Sequence, residues 1–489
     1  MCIGACNRGT TTPASLSRRA ARWSTCALAA GWEPPVRLRV GEAHSCATMN
    51  LSSALSGSAA PASAASLRPS RPAAKSSWKY LKPQSIRLAK KAQKALRIAR
   101  VHAASTLRAL PVVRDSLHLP RNDVHPVRSS PGEGVRIRVV SPEDTFVRAL
   151  PFMPGEAETH DLFVREQRGR THATFVAELH RGRLWTFYGG SVFTREGRLI
   201  PSLSKDVWGP RLHSAFARTR LPKPEWLPGR TLSLITPEAA GNYHHWMMDL
   251  LPRIGMLQRA GYSLSEFDRV LIKCRGLPFQ KETLRRAGLD ERKIVLVGDN
   301  QHLEAETLIV PALHMEDMRV NADDTRFVRQ LFLPEEPAPG AAWRRLYVGR
   351  SDAAYRRVIN KPDIRPILDR YGFEEVTMSK LTVEEGARLF SEAAIVAGPN
   401  GSALANVLFA HLDCRVIEFF APGWVVPYNW MIGANLGLSY TVLIGRGNRP
   451  APGSLPRDLR QDIDLVPEQL EVAIAEAVRE QAAQRPFFG

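Results

Sequence analysis

Between residues 231 and 444, short apolar runs alternate with amphipathic stretches, and this alternation constrains the fold more than any other feature of the chain. Runs at 231–236, 269–273, 294–297 and 307–310 read as strands, and 279–287 and 325–333 as helices. Pro334-Glu335-Glu336-Pro337-Ala338-Pro339-Gly340 then interrupts the series and reads as an interdomain linker. Beyond it strands are expected at 345–348, 375–378, 394–397, 415–420 and 440–444. Helices are expected at 364–371, 383–392, 402–410 and around 430–436, with a closing helix at 467–483. Chains with this order bury a parallel sheet between helices, so the expected class is α/β, with two domains facing each other across a cleft. Further strands at 135–140, 173–179 and 184–192 put the domains at 136–335 and 340–489.

Charge separates the leading segment from this folded part. The chain has 489 residues and a formal charge of +19, which by itself suggests a nucleic-acid binder. Residues 1–135, however, hold 21 Lys and Arg against 5 Asp and Glu, while the remainder holds 46 against 43. A phosphate-tracking groove places its excess charge within the fold, so nucleic acid is not expected as the partner. Residues 1–83, rich in Ser, Ala, Pro and Arg, read as disordered; a transit peptide or a true start at Met49 are further readings of this stretch. Residues 84–110 read instead as a basic amphipathic helix suited to an anionic membrane surface. No apolar run is long enough to span a bilayer and no CxxC pair occurs, so a reducing, cytoplasmic setting is expected, peripheral at the inner face of the membrane.

Chemistry concentrates in Gly241-Asn242-Tyr243-His244-His245-Trp246-Met247-Met248-Asp249-Leu250-Leu251-Pro252-Arg253. Asn242 suits a helix N-cap, and His245, Asp249 and Arg253 then fall in one line, four residues apart, beside an apolar stripe. Buried ionisable groups are costly unless paired or used, so the line reads as the wall of a cleft. Pro252 removes the amide that the Met248 carbonyl would accept from and is expected to kink the helix. Either Asp249 or an imidazole at His245 or His244, assisted by Asp249, can serve as a general base. No third ligand is evident beside His245 and Asp249, so no metal or other cofactor is expected and activity is expected to survive EDTA.

Ala397-Gly398-Pro399-Asn400-Gly401-Ser402 through Asn406 reads as a strand–turn–helix whose small residues suit phosphate. Glu418 is expected at the end of the next strand, where an acid can hold ribose hydroxyls. Arg350, Arg356, Arg357, Asn360 and Lys361 form a cationic loop suited to a diphosphate. Asp462-Ile463-Asp464 has the text of a DxD metal motif, yet its place just before Pro467 suggests a cap for the last helix.

Three features in this order resemble the family 61 glycosyltransferases. They are Asn242-Tyr243-His244-His245-Trp246 through Asp249-Leu250-Leu251-Pro252-Arg253; Tyr347-Val348-Gly349-Arg350 with Arg357-Val358-Ile359-Asn360; and Gly398-Pro399-Asn400-Gly401-Ser402 with Ala405-Asn406 and Leu408-Phe409. The resemblance implies a GT-B-like pair of Rossmann-type domains and transfer, with inversion, from a nucleotide-sugar donor. Many bacterial members are encoded with capsule or exopolysaccharide synthesis, which implies a glycan or lipid-linked acceptor. Asn400 stands where the family often has histidine, and Lys361 where it often has glutamate. The expected site is therefore Asp249, His245 and His244 for catalysis, with Arg253, Arg350, Arg357, Asn360, Asn400, Gly401, Ser402, Asn406 and Glu418 for substrate. The two departures motivate an alternative: a catalytically inactive nucleotide-sugar- or glycan-binding protein of the same fold.

Overall fold

Local sequence signals place most elements of the computed structural model, which describes residues 83–206, 212–313, 321–454 and 456–484. The expectations for residues 1–82 lie outside these. Pro83–Ala109 is one helix, as its 3.6-residue periodicity requires, with Lys91, Lys94 and Arg100 exposed and Arg97 half-buried. Among the described residues, those up to Ala99 and those from Arg100 onward fall into separate compact units. Among the described residues no helix is long and apolar enough to cross a membrane.

The strands in chain order are β1 (Val135–Ser141), β2 (Asp144–Val147), β3 (Arg168–Thr171), β4 (Thr174–His180), β5 (Arg183–Trp185), β6 (Ser191–Phe193), β7 (Glu225–Ser233), β8 (Arg269–Ile272), β9 (Ile294–Leu296) and β10 (His302–Pro311). They continue with β11 (Arg344–Val348), β12 (Glu374–Val376), β13 (Ala393–Pro399), β14 (Arg415–Phe420) and β15 (Ser439–Ile444). Two sheets carry the fold. The second runs β12-β11-β13-β14-β15 with every pairing parallel. Its strands β13 and β14 are buried along their whole length, as sheets covered on both faces demand.

The first sheet is mixed, which corrects the expectation of a parallel one. Strands β9-β8-β7-β10 are parallel, but β4 pairs antiparallel with β10, β1 with β4, and the β5–β6 pair adds to β10. The single strand expected at 184–192 is this β5–β6 hairpin. Gly190 has φ +83° and Tyr188 φ +54°, left-handed values that reverse the chain where an unbroken strand cannot follow.

Strand order fixes where a ligand crevice can open. In the first sheet the parallel strands lie in the chain order 3-2-1-4, so the connections diverge between β7 and β10. In the second sheet the order is 2-1-3-4-5, and they diverge between β11 and β13. Loops at the carboxyl ends of such diverging strands leave a crevice. The loops after β7, β11 and β13 are the ones bearing the sequence motifs.

The linker does not hang free. Fully buried Arg329 donates to the carbonyls of Leu408 and Ala410 at 3.0 and 2.8 Å and to Glu336 Oε1 at 2.7 Å. His411 Nε2 lies 2.9 Å from the Ala338 carbonyl, and the Gly340 amide donates to Asp413 at 2.9 Å. A strap from the first half also crosses the second. Phe152 exchanges backbone hydrogen bonds with Tyr440 and Val442 on β15, and Trp430 Nε1 donates to the Ala149 carbonyl. Phe163 meets Phe420 and Trp430 edge-on, with ring centroids at 6.4 and 5.3 Å. One hydrophobic core therefore runs from Val135 to Ala477 through both sheets.

Candidate active site

The loop after β7 leads into a helix over residues 243–259 that is not uniform. Asn242 caps it, its side chain accepting from the His245 amide as expected. Tyr243–His245 is α-helical, Trp246–Leu250 is a π-turn, and Leu251–Arg259 is α-helical again. The Leu251 amide reaches back to the Trp246 carbonyl, and Pro252 sits at the start of the following α-segment. The wider turn accommodates the amide that proline lacks, so the expected kink takes the form of a π-bulge, a feature common at functional sites.

His245 Nδ1 and Asp249 Oδ2 lie 2.7 Å apart, with Asp249 3 % exposed. Burial pulls the His245 pKa down, but the Asp249 carboxylate and its hydrogen bond outweigh this and leave it above 6.5. His244 behaves oppositely. Burial and the adjacent His245 lower it to about 4, so it is neutral at pH 7. Of the two imidazoles His245 is the one tied to a carboxylate, while His244 packs beside Asn429 and Tyr428. Glu238, on the loop after β7, was not foreseen. It brings a carboxylate oxygen to within 4.8 Å of ligand atoms of both His245 and Asp249, which corrects the expectation that no third donor joins them. The signal was weak, a single acid after Pro237 eleven residues from Asp249, in a loop that only the fold brings back to the helix.

Arg253 corrects another expectation. It is fully buried, and its guanidinium donates to the carbonyls of Ser233 at the end of β7, Ile235 just beyond it and Pro311 at the end of β10, at 2.9–3.2 Å. It locks the helix onto the divergence point of the first sheet and has no face for substrate. Burial lowers its pKa to about 9, still well above neutrality.

Across the crevice, Gly398 places β13 close against β11, since a Cβ there would stand 2.9 Å from the Val348 carbonyl oxygen. The helix expected at 402–410 is a 3₁₀-helix over Ser402–Phe409. Local i−3 bonds compete with the α-pattern: Leu404 N donates to the Gly401 carbonyl at 3.1 Å, and Asn406 Nδ2 to the Ala403 carbonyl at 2.8 Å. Its first residues face the 243–259 helix. Ser402 Oγ donates to Asn242 Oδ1 at 3.1 Å, and Tyr243 Oη to Asn406 Oδ1 at 2.7 Å. The structure thus brings Asn242–Asp249 and Gly401–Asn406 to one place.

Glu418 is also displaced from its expected part. It lies inside β14, fully buried, and accepts from Asn400 Nδ2 at 2.8 Å, Asn429 Nδ2 at 2.7 Å and Tyr440 Oη at 2.7 Å. Burial outweighs these donors and raises its pKa from 4.5 to about 7. Such an acid organises its neighbours and offers no free edge to a ribose. Asn400, 3 % exposed, passes the constraint on, because its Oδ1 accepts from Arg356 Nη1 at 2.6 Å. Arg356, with φ +56°, belongs to the cationic loop expected to suit a diphosphate, and this contact brings it to Asn400 although it was not in the expected substrate set.

Arg350 and Arg357 line a hollow of about 220 Å³ with Tyr347, Ser351, Val358, Lys361 and Glu375. Arg350 donates to the Tyr355 carbonyl at 2.9 Å, and its Nη1 occupies the space over Gly401 that a Cβ would fill. Lys361 pairs with Glu375 at 2.7 Å. Asn360 leaves the expected set, since its amide group clamps the backbone of Leu465 through bonds of 2.9 and 3.0 Å. Asp462 does not cap the last helix, which begins at Pro467; it pairs with Arg357 at 3.1 Å and accepts its amide at 2.9 Å. Asp464 pairs with Arg446 at 3.3 Å.

Residues 243–417, which contain all of these motifs from Tyr243 to the start of β14, match the family model described as Glycosyltransferase 61. A comparison with curated proteins found no match.

Proposed function

This chain belongs to glycosyltransferase family 61 through its residues 243–417, and from that premise we propose that it moves a sugar, with inversion, from a nucleotide-sugar donor to a glycan or lipid-linked acceptor. The observation that carries the reading is the His245–Asp249 pair at 2.7 Å, held opposite the Gly401–Asn406 turn by the Asn242–Ser402 and Tyr243–Asn406 bonds. Inverting transfer needs one base for the acceptor hydroxyl and a cationic seat for the departing diphosphate. His245, its basicity raised by Asp249, takes the proton. Arg350 and Arg357 take the diphosphate in the hollow beside β11, near the divergence point of the second sheet. Asn400, Gly401 and Ser402 shape the other wall.

On this reading the two sheets form a GT-B-like pair, with the acceptor against 136–335 and the donor against 340–489. The reaction belongs to capsule, exopolysaccharide or lipopolysaccharide synthesis at the inner face of the membrane, with the basic Pro83–Ala109 helix resting on anionic lipid. Transfer proceeds in EDTA. Release of free nucleotide from UDP-, GDP-, CMP- and dTDP-sugars by the full chain is the decisive assay. Turnover of one donor, lost in Asp249→Asn, supports the proposal. Donor binding that stabilises the fold with no hydrolysis of any donor favours the binding-protein reading, to which Asn400, already engaged by Arg356 and Glu418, lends some support.

A further inference from the structure

Glu238 has no part in that mechanism, yet it is built into the site. Its Oε1 accepts from Tyr188 Oη at 2.6 Å. Its Oε2 is buried and has no hydrogen-bond partner among the described residues. Buried carboxylate oxygens are seldom left unpaired, because desolvation without compensation is costly. The turn that presents Tyr188 is itself strained, with Tyr188 at φ +54°, and Lys273 Nζ holds it by donating to the carbonyls of Thr186 and Tyr188 at 2.9 and 3.0 Å. One atom each from Glu238, His245 and Asp249 lies within 4.8 Å of the others.

We infer that Glu238, His245 and Asp249 form a binding site for a divalent cation of the zinc type, and that its occupation blocks the proton transfer proposed above. Two carboxylates and one imidazole suit Zn²⁺, which takes nitrogen and oxygen ligands and commonly leaves a fourth position to water. Ligand atoms sharing a tetrahedral Zn²⁺ at about 2.0–2.1 Å stand roughly 3.4 Å apart, so the 2.7 Å His245–Asp249 contact has to open as a Glu238 carboxylate oxygen settles against the same ion. Tyr188 then acts as the outer partner that orients a ligating carboxylate. Lys205 carries a like charge that acts on the same imidazole and opposes a cation there. A nitrogen bound to the metal has no lone pair for a proton, so the cation inhibits rather than assists.

Only the inhibitory half rests on His245 and Asp249 being the base, and two readouts separate the halves. The full chain, freed of metal, is titrated calorimetrically with ZnCl₂, and Co²⁺ is used as an absorbing substitute. One site per chain is expected, with the visible bands of mixed imidazole and carboxylate ligation. Glu238→Gln and Asp249→Asn are expected to bind at least tenfold more weakly. Tyr188→Phe, which removes only the outer hydrogen bond, should weaken binding by about tenfold and serves if Glu238→Gln fails to fold. Affinity unchanged across the variants, or no saturable site, overturns the inference and leaves the base proposal standing. Binding that follows the expected variant series while Zn²⁺ leaves transfer unaffected sinks the base proposal and its inhibitory corollary, but keeps the site.

Discussion

Asn242 Oδ1 accepts from Ser402 Oγ at 3.1 Å across the crevice while capping its own helix at the His245 amide, 3.4 Å away. One side-chain oxygen thus sets the start of the 243–259 helix and ties it to the opposite turn. Asn242→Ala should lower stability by about 1 kcal/mol, the usual loss for an N-cap, and raise the KM for donor. Ser402→Ala should leave the cap intact and change KM alone. Denaturant titration beside steady-state kinetics separates the two.

The acid–base proposal makes a prediction in pH. His245 is the base only when neutral, and Asp249 holds its pKa above 6.5. Turnover should therefore rise through an ionisation above that value. Asp249→Asn removes the carboxylate that raises it, so the limb should move to lower pH while kcat falls by about 10²–10⁴-fold. A kcat–pH profile that keeps its limb in the variant would be evidence against the pair.

Two glycines three residues apart should behave differently. Gly398→Ala drives a methyl against the Val348 carbonyl and Cβ, at 2.9 and 3.0 Å, so the backbone of β11 must shift. It should cost about 1–3 kcal/mol. Gly401→Ala meets the end of the Arg350 side chain, which can swing away. The melting temperature should hardly move, while donor binding weakens as Arg350 leaves its seat.

Arg253→Met should destabilise the fold by about 3 kcal/mol or more, because the carbonyls of Ser233, Ile235 and Pro311 lose a buried charged donor. If Arg253 instead contacted substrate, KM would rise with stability unchanged. Chemical denaturation distinguishes these outcomes directly.

Glu418 carries a pH signature of stability. Its folded pKa of about 7 lies above its ordinary 4.5, so the folded state holds a proton that the unfolded state has released. This contribution is complete below about 4.5 and is lost as pH rises through about 7. Glu418→Gln should flatten that part of the stability–pH curve, measured as the denaturation midpoint between pH 4 and 8.

Local signals made much of this legible in sequence. The Asn242 cap, the alternation from β7 to β15 and the Pro83–Ala109 helix follow from periodicity and capping chemistry within a few residues. What depends on distant partners was not legible. Nothing near Glu418 indicates that Asn400, Asn429 and Tyr440 will enclose it, and nothing near Asp249 indicates that Glu238 returns to meet it. Antiparallel β1 and β4 look like any other apolar run, since pairing direction leaves no periodic mark. The split of 184–192 was readable: Gly189-Gly190 stands in its middle.

The strap at 149–163 bears on how such proteins can be recombined. Its backbone lies along β15, and Phe163 sits against Trp430 and Phe420. A graft that exchanged the part beyond Pro334 alone would leave those aromatic rings wet and the outer strand unaccompanied. Any chimaera built on this chain has to carry the strap with the half it clasps, so the exchangeable cassette is made of two discontinuous pieces.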